Sequence, residues 1–191
     1  MPKQSRYFWL DDEMKGGNWY LGDPVDEAGQ EVEDIWEFIQ GRPIRPAGCM
    51  TFPIREAGKR RDYSTAGVGR APIVHIRVAT IFAEMAPNDV QLIPVNIEGC
   101  PDEYQALVAT KLIKCIDEKA SREILLWKPE DGRPEKVGKY RSVAGMRIDP
   151  TKVGDAKVFR TWGWAGALIV SEDIKAALER STVTGAKFEE V

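Results

Sequence analysis

Few residues of this chain have the type and spacing to do chemistry. His75 is the single histidine. As a general base it would need an orienting carboxylate and a nucleophile beside it, and its setting within the mostly apolar stretch Pro72 to Met85 points to a structural, half-buried role. Cys49, Cys100 and Cys115 are odd in number, widely spaced and without a Cys-x-x-Cys pair. Together with one histidine they offer no zinc-ligand spacing, so no metal site is expected. They read as three reduced thiols of a cytoplasmic protein. Carboxylates cluster at Asp11-Asp12-Glu13, at Glu31, Glu33 and Asp34, and at Asp102-Glu103. Held at the right separation, paired carboxylates perform glycosidase or metal-dependent phosphoryl chemistry. In turn-like segments such as these, acidic residues ordinarily face water. The functional alternative is docking to a basic partner through charge complementarity.

Nucleotide-binding signatures are missing. Gly163-Trp-Ala-Gly166 and Gly67-Val-Gly69 match neither the dinucleotide fingerprint nor the P-loop, and no Gly-x-Ser-x-Gly elbow occurs. No cofactor and no catalytic residue is therefore assigned. The chain has six tryptophans. Aromatic residues are enriched at interface hot spots but more often sit in or beside a core, and Trp162 and Trp164 are read first as core and second as interface. An alternating strand would point both to one face, whereas a bend at Gly163 would part them. The candidate partner-contacting set is Asp11, Asp12, Glu13, Asp102, Glu103, Trp162 and Trp164.

The bulk composition bounds what positions these residues. The chain has 191 residues, of which 43% are hydrophobic and 30% charged, with a net charge of −3. That suits one folded domain and argues against disorder. No cationic block is present to track a phosphate backbone, so nucleic acid is not an expected ligand. No run approaches the roughly 18 apolar residues of a membrane helix, and the N-terminal stretch Met1 to Glu13 turns acidic too early for a signal-peptide core. A soluble, cytoplasmic chain is expected. Its oligomeric state is left open.

The elements follow from periodicity and punctuation. The chain centres on Ala165 to Val170, its longest apolar run, which reads as a strand buried on both faces. Ser171 follows as a helix N-cap worth about 1 kcal/mol, Glu172 and Asp173 suit the positive end of the helix dipole, and Ile174, Ala177 and Leu178 form the buried stripe. Upstream, Arg6 to Leu10 and Trp19 to Leu21 flank a turn at Lys15 to Asn18 and suggest an antiparallel hairpin or meander. Ile35 to Ile39 reads as a strand or one helical turn. Met50 to Ile54 reads as an edge strand because of Pro53. Glu56 to Gly69 reads as an exposed loop. Pro72 to Met85 carries both a strand alternation at its start and a helical stripe, and its length favours one helix starting at Pro72. Val90 to Glu98 and Tyr104 to Ile116 form a hairpin, with the second strand central. Lys128 to Lys139 is a solvated loop, Tyr140 to Ile148 and Ala156 to Phe159 are strands, and Lys187 to Glu189 closes the chain as a last strand. The sum is one α+β domain with a largely antiparallel mixed sheet and few helices, an aromatic, turn-rich part over about 1–70 and a sheet-and-helix core over about 71–191.

Several segments, in order, resemble a known bacterial family: Trp19-Tyr-Leu-Gly22 with Asp23-Pro24, Asp89 to Val95, Cys115-Ile-Asp117, Arg147-Ile-Asp-Pro150, Val158-Phe-Arg160, Leu168 to Glu172 and Thr184 to Phe188. The chain is similar, over nearly its whole length, to immunity protein family eleven of the bacterial polymorphic toxin systems. The resemblance implies a cytoplasmic, non-enzymatic antidote that binds a cognate toxin protein, often a nuclease-type effector, and covers its active site. It implies no catalytic residue. Two other classes compete with it: an enzyme using acidic residues, and a protein-interaction module unrelated to toxins.

Overall fold

Two continuous apolar runs, Ala106 to Ala109 and Ala167 to Val170, are buried on both faces and form the centres of two five-stranded sheets. The computed structural model describes residues 5–46 and 48–191; Met1 to Gln4, the start of the stretch read for a signal-peptide core, lie outside the described residues. The first sheet runs, in spatial order, β14 (Ala186–Glu190), β1 (Tyr7–Asp12), β13 (Trp164–Ser171), β12 (Val158–Thr161) and β9 (Leu112–Ile113). The second runs β3 (Thr51–Phe52), β7 (Val90–Ile97), β8 (Cys100–Ala109), β6 (Ala71–His75) and β5 (Tyr63–Ala66). All neighbours are antiparallel except β9 with β12 and β3 with β7, so both sheets are mixed. Two ribbons accompany them, β2 (Tyr20–Leu21) with β4 (Ile54–Glu56), and β10 (Glu123–Leu126) with β11 (Tyr140–Ala144). Among the described residues the α-helices are α1 (Ile76–Met85) and α2 (Glu172–Arg180).

The period-two alternation of the central strands sorts their side chains into three cores. Leu107 and Ala109 of β8 and Leu168 and Val170 of β13 enter a central core with Val78 and Phe82 of α1 and Ile174 and Leu178 of α2. Ala106 and Val108 face the other way, onto a layer built from the N-terminal segment: Trp19, Leu21, Phe38, Ile44, Met50 and Phe52. Ala167 and Ile169 face a third core closed by Cys115, Ile116, Tyr140, Met146 and Ile148. A strand buried on both sides therefore reads as an unbroken apolar run, as the sequence of β13 does.

Asp62 crosslinks the layers. Its carboxylate accepts from Arg77 Nε and Nη2 at 2.8 and 2.5 Å and from Thr184 N and Oγ1 at 2.8 and 2.7 Å. Arg77 Nη1 also donates to Ser181 O at 2.8 Å, tying the start of α1 to the end of α2. Burial alone would raise the Asp62 pKa, but the hydrogen bonds from Arg77 and Thr184 outweigh it and hold the carboxyl well below the usual range.

Three sequence expectations are corrected. The first strand does not form a hairpin with Tyr20–Leu21: β1 inserts between β13 and β14, and β2 pairs with β4. Glu56 to Gly69 is not all loop, because Tyr63, Ser64 and Ala66 are buried in β5 against β6. Pro72 to Met85 is both of the alternatives in succession. Pro72 lies within β6, and the helix begins at Ile76 with His75 as N-cap, its Nδ1 accepting from Arg77 N at 3.3 Å. His75 is half-buried, edge-on to Tyr104 at 5.3 Å, which is the structural role expected of it. Ser171 occupies the N-cap position of α2, but its side chain makes no capping bond: the hydroxyl donates to the Asp173 carboxylate, which in turn accepts from Ile174 N at 3.1 Å. The three cysteines are free thiols, exposed at Cys49 and buried at Cys115, where burial pushes the thiol up to about 11. Among the described residues no helix is long and apolar enough to cross a membrane.

Candidate interaction face

The carboxylates picked out by sequence take up unequal roles. Asp11 pairs with Arg70 at 2.5 Å, and Asp12 accepts from Thr65 N and Oγ1 at 3.2 and 2.8 Å, so both knit β1 to the β5–β6 hairpin. Glu13 faces solvent. Asp102 pairs with Arg60 at 2.9 Å and Glu103 is exposed, both at the start of β8 in the other sheet. Trp162 and Trp164 stand either side of Gly163, whose φ of +81° turns β12 into β13. Both are half-buried: the Lys114 ammonium lies 4.6 Å from the Trp162 ring centroid, and Trp164 packs on the third core. The seven residues are thus divided between the two sheets rather than gathered at one point.

One buried charge accompanies them. Arg160, on the central-core face of β12, is 2% exposed and donates from Nη1 to the carbonyls of Ala165 and Gly166 at 3.3 and 3.1 Å. Its Nε and Nη2 have no hydrogen-bond partner among the described residues, and burial lowers its pKa to about 10.

A more concentrated charge lies in the N-terminal layer. Between Lys15 and Arg42 the chain has seven carboxylates and no lysine or arginine, leaving 27 cations against 23 carboxylates in the remainder. The net charge of −3 therefore hides a segment of −7 attached to a body of +4. The fold makes a cleft of this segment. Asp26 closes a tight turn by accepting from Ala28 N and Gln30 N at 2.8 and 2.9 Å, and Val25 bridges back to Glu31. Asp34 accepts from Trp36 N at 3.0 Å and starts a 3-10 turn at Glu37–Ile39, anchored by the fully buried Phe38 against Phe52. The opposite wall, formed by Arg45, Pro46, Gly48, Cys49 and Met50, follows Ile44, which Gln91 brackets through its amide with bonds of 2.8 and 2.9 Å.

The resulting cleft holds about 700 Å³ and is lined by Asp26, Glu31, Glu33, Asp34 and Glu37 against the single cation Arg45. Among the described residues none of these five carboxylates is in an ion pair. Burial, and next to it the neighbouring Asp34, raise the Glu37 pKa, the response of a carboxylate in an anionic, partly dry setting. No three His, Cys, Asp or Glu side chains among the described residues converge as a metal site. The arrangement can attract and hold cationic groups. The trio Glu31, Glu33 and Asp34 was visible as a cluster, but Asp26 and Glu37 were not. The signal that finds them is the absence of cations over 26 residues.

The segments that carried the family resemblance are scaffold by contrast. Asp89 is buried and accepts from Lys157 N and Val158 N at 2.7 and 3.2 Å and from Lys111 Nζ at 2.6 Å, fastening β7 to β12. Asp117 closes its own turn onto Lys119 N and Ala120 N, and Asp149 caps Thr151. A model of the immunity protein family (Imm11) matches residues 87–191. The chain belongs to the Imm11 immunity protein family. No curated protein matches it. The Imm11 match starts after α1 and takes in β7 to β14 and α2, so the resembling segments from Asp89 to Phe188 lie inside it and Trp19 to Pro24 outside it. The acidic cleft is built wholly from residues outside the matched span, on the layer that covers the second sheet.

Proposed function

We propose that this Imm11 protein is a cytoplasmic, non-enzymatic antidote that binds a cognate toxin domain and covers its active site. Membership of an immunity family carries the reading of the protein as an antidote. The acidic cleft supports its manner of binding. A toxin that cuts nucleic acid must present cations to a polyanionic substrate. Unpaired carboxylates at Glu31, Glu33 and Glu37, set in a concave wall, would occupy those cations in the substrate's place. Glu13, Asp102 and Glu103, none of which lines the cleft, would add separate anionic contacts, with Asp11 and Asp12 fixing β1 behind Glu13. Trp162 and Trp164 form a separate, secondary contact in this scheme. Charge on the rim mainly accelerates encounter, whereas desolvated pairs at the centre slow release. The test is co-expression with the toxin-like domain encoded by the adjacent gene. Cells carrying both proteins should survive, and equal killing with and without this chain would refute the antidote reading.

A further inference from the structure

The N-terminal layer carries charge of both signs. After the acidic segment, Arg42 to Arg61 holds six cations and one carboxylate, Glu56. Among the described residues only Arg60 of the six is in an ion pair, with Asp102. Part of this stretch borders a second hollow of about 370 Å³, lined by Met14, Tyr20, Asp23, Arg55, Val68 and Arg70. The hollow lies beside the acidic cleft. Asp23 stands just ahead of Asp26 of the cleft, and Gly69 abuts Ile35, the neighbour of Asp34: a Cβ on Gly69 would lie 2.2 Å from Ile35 O.

The charged groups of this hollow are spent, with one exception. Asp23, its one carboxylate, accepts from Val68 N and Gly69 N at 3.0 Å each, and Arg70 is paired with Asp11. The Arg55 guanidinium has neither a hydrogen bond nor an ion pair among the described residues. It lies across Gly22, where a Cβ would stand 2.6 Å from its Nε. Met14 and Val68 are 67% and 66% exposed, the highest values among the large hydrophobic side chains described. Arginine, methionine and tyrosine are the kinds of residue enriched in interface cores. Arg70 adopts a φ of 52°, in the left-handed region that non-glycine residues avoid, and such strain clusters at functional sites. The hollow therefore asks for an acidic group next to an apolar one. We propose that the cognate toxin places an acidic side chain with an apolar neighbour here, while its cationic segment fills the cleft. This rests on the antidote reading above. Arg55 receives the carboxylate, and Met14 and Val68 cover the apolar neighbour. The hollow supplies selectivity. An acidic cleft attracts basic proteins in general, whereas an unpaired guanidinium beside it repels those that bring a cation to that point.

Calorimetric titration of the toxin domain encoded by the adjacent gene, with a polylysine peptide as a generic cationic probe, tests this. Arg55→Glu should weaken toxin binding at least about tenfold and strengthen polylysine binding. Met14→Ser with Val68→Ser should weaken toxin binding about tenfold and leave polylysine binding unchanged. All three side chains are exposed, so both variants should melt with the wild type. Unchanged toxin affinity in either variant, with a wild type that binds, overturns this inference and leaves the antidote reading standing. Polylysine binding that Arg55→Glu does not strengthen overturns the selectivity assigned to Arg55. A wild type that does not bind the toxin overturns the antidote reading and this inference with it.

Discussion

Asp62→Asn probes the crosslink that joins β5, α1 and the lead into β14. The substitution keeps the shape and one acceptor but removes the charge that receives the Arg77 fork and two Thr184 bonds. Hydrogen bonds to a charged group contribute about 1.5–3 kcal/mol each. The Asp62 side chain is 15% exposed, but that of Arg77 is 41% exposed, so water screens the ion pair and most of its Coulomb energy is discounted. With the Thr184 bonds partly kept, the expected loss is about 2 kcal/mol, or a Tm lower by about 4–8 °C for a chain of this size. The sign with pH follows from the depressed carboxyl pKa of the native state. Its stabilisation is present above the unfolded value of 3.8 and is lost as pH falls through that value toward the lower native one. Urea unfolding of both proteins near neutral pH and at about pH 2–3 should therefore give a gap that closes in acid. A gap below about 0.5 kcal/mol at neutral pH, the usual scale of an ordinary surface change, would refute the reasoning. So would one that is unchanged in acid.

Other perturbations follow from the same contacts. Gly185→Ala should destabilise by about 3 kcal/mol or more in thermal melts, since φ is +89° and a Cβ would stand 2.2 Å from Tyr63 O; a melt within a degree or so of wild type would contradict it. Arg160→Met should leave stability unchanged or raise it by about 1–3 kcal/mol in urea titrations, because the guanidinium is buried with two unpaired nitrogens; a loss above about 2 kcal/mol would show that its carbonyl bonds outweigh its burial. A fragment of residues 87–191 should lack a cooperative unfolding transition by circular dichroism, because β13 and β14 lose β1 from between them and β8 loses β6. A sharp two-state transition would show the family-matched span to be a folding unit by itself. Toxin binding should weaken as pH falls through the carboxylate range, with Glu37 protonating early because its pKa is raised; pH-independent binding down to about pH 4 would argue against docking in the cleft.

The parts of the fold legible in the sequence are those where one period operates alone. Ala167 to Val170 is apolar at every position because both faces are covered, and it does lie at the centre of its sheet. The α2 stripe Ile174, Ala177 and Leu178 is buried as its spacing requires. Reading failed where two elements abut without punctuation. His75 ends β6 and caps α1 in a single residue, so a strand alternation runs directly into a helical stripe. The strand Tyr63–Ala66 was hidden because its short, polar-looking sequence buries Tyr63 and Ser64, and Ser64 takes the Trp19 indole N–H at 3.0 Å. The pairing of β1 with β13 and β14 links the two ends of the chain, and no local pattern encodes a contact of that range. The acidic cleft was only partly legible for a related reason. Two of its five carboxylates gain their place from the Asp26 turn and the Phe38 anchor, which are products of tertiary packing.

In the proposed function the acidic cleft is what holds the toxin. Calorimetric titration of the toxin domain into the wild type and into a Glu31→Lys, Glu33→Lys, Glu37→Lys variant, each at low and high salt, measures this directly. The wild type should bind with an affinity that falls steeply with salt. The variant should bind at least about a hundredfold more weakly and with a flatter salt dependence. Equal affinity and equal salt slope for the two proteins would contradict the account.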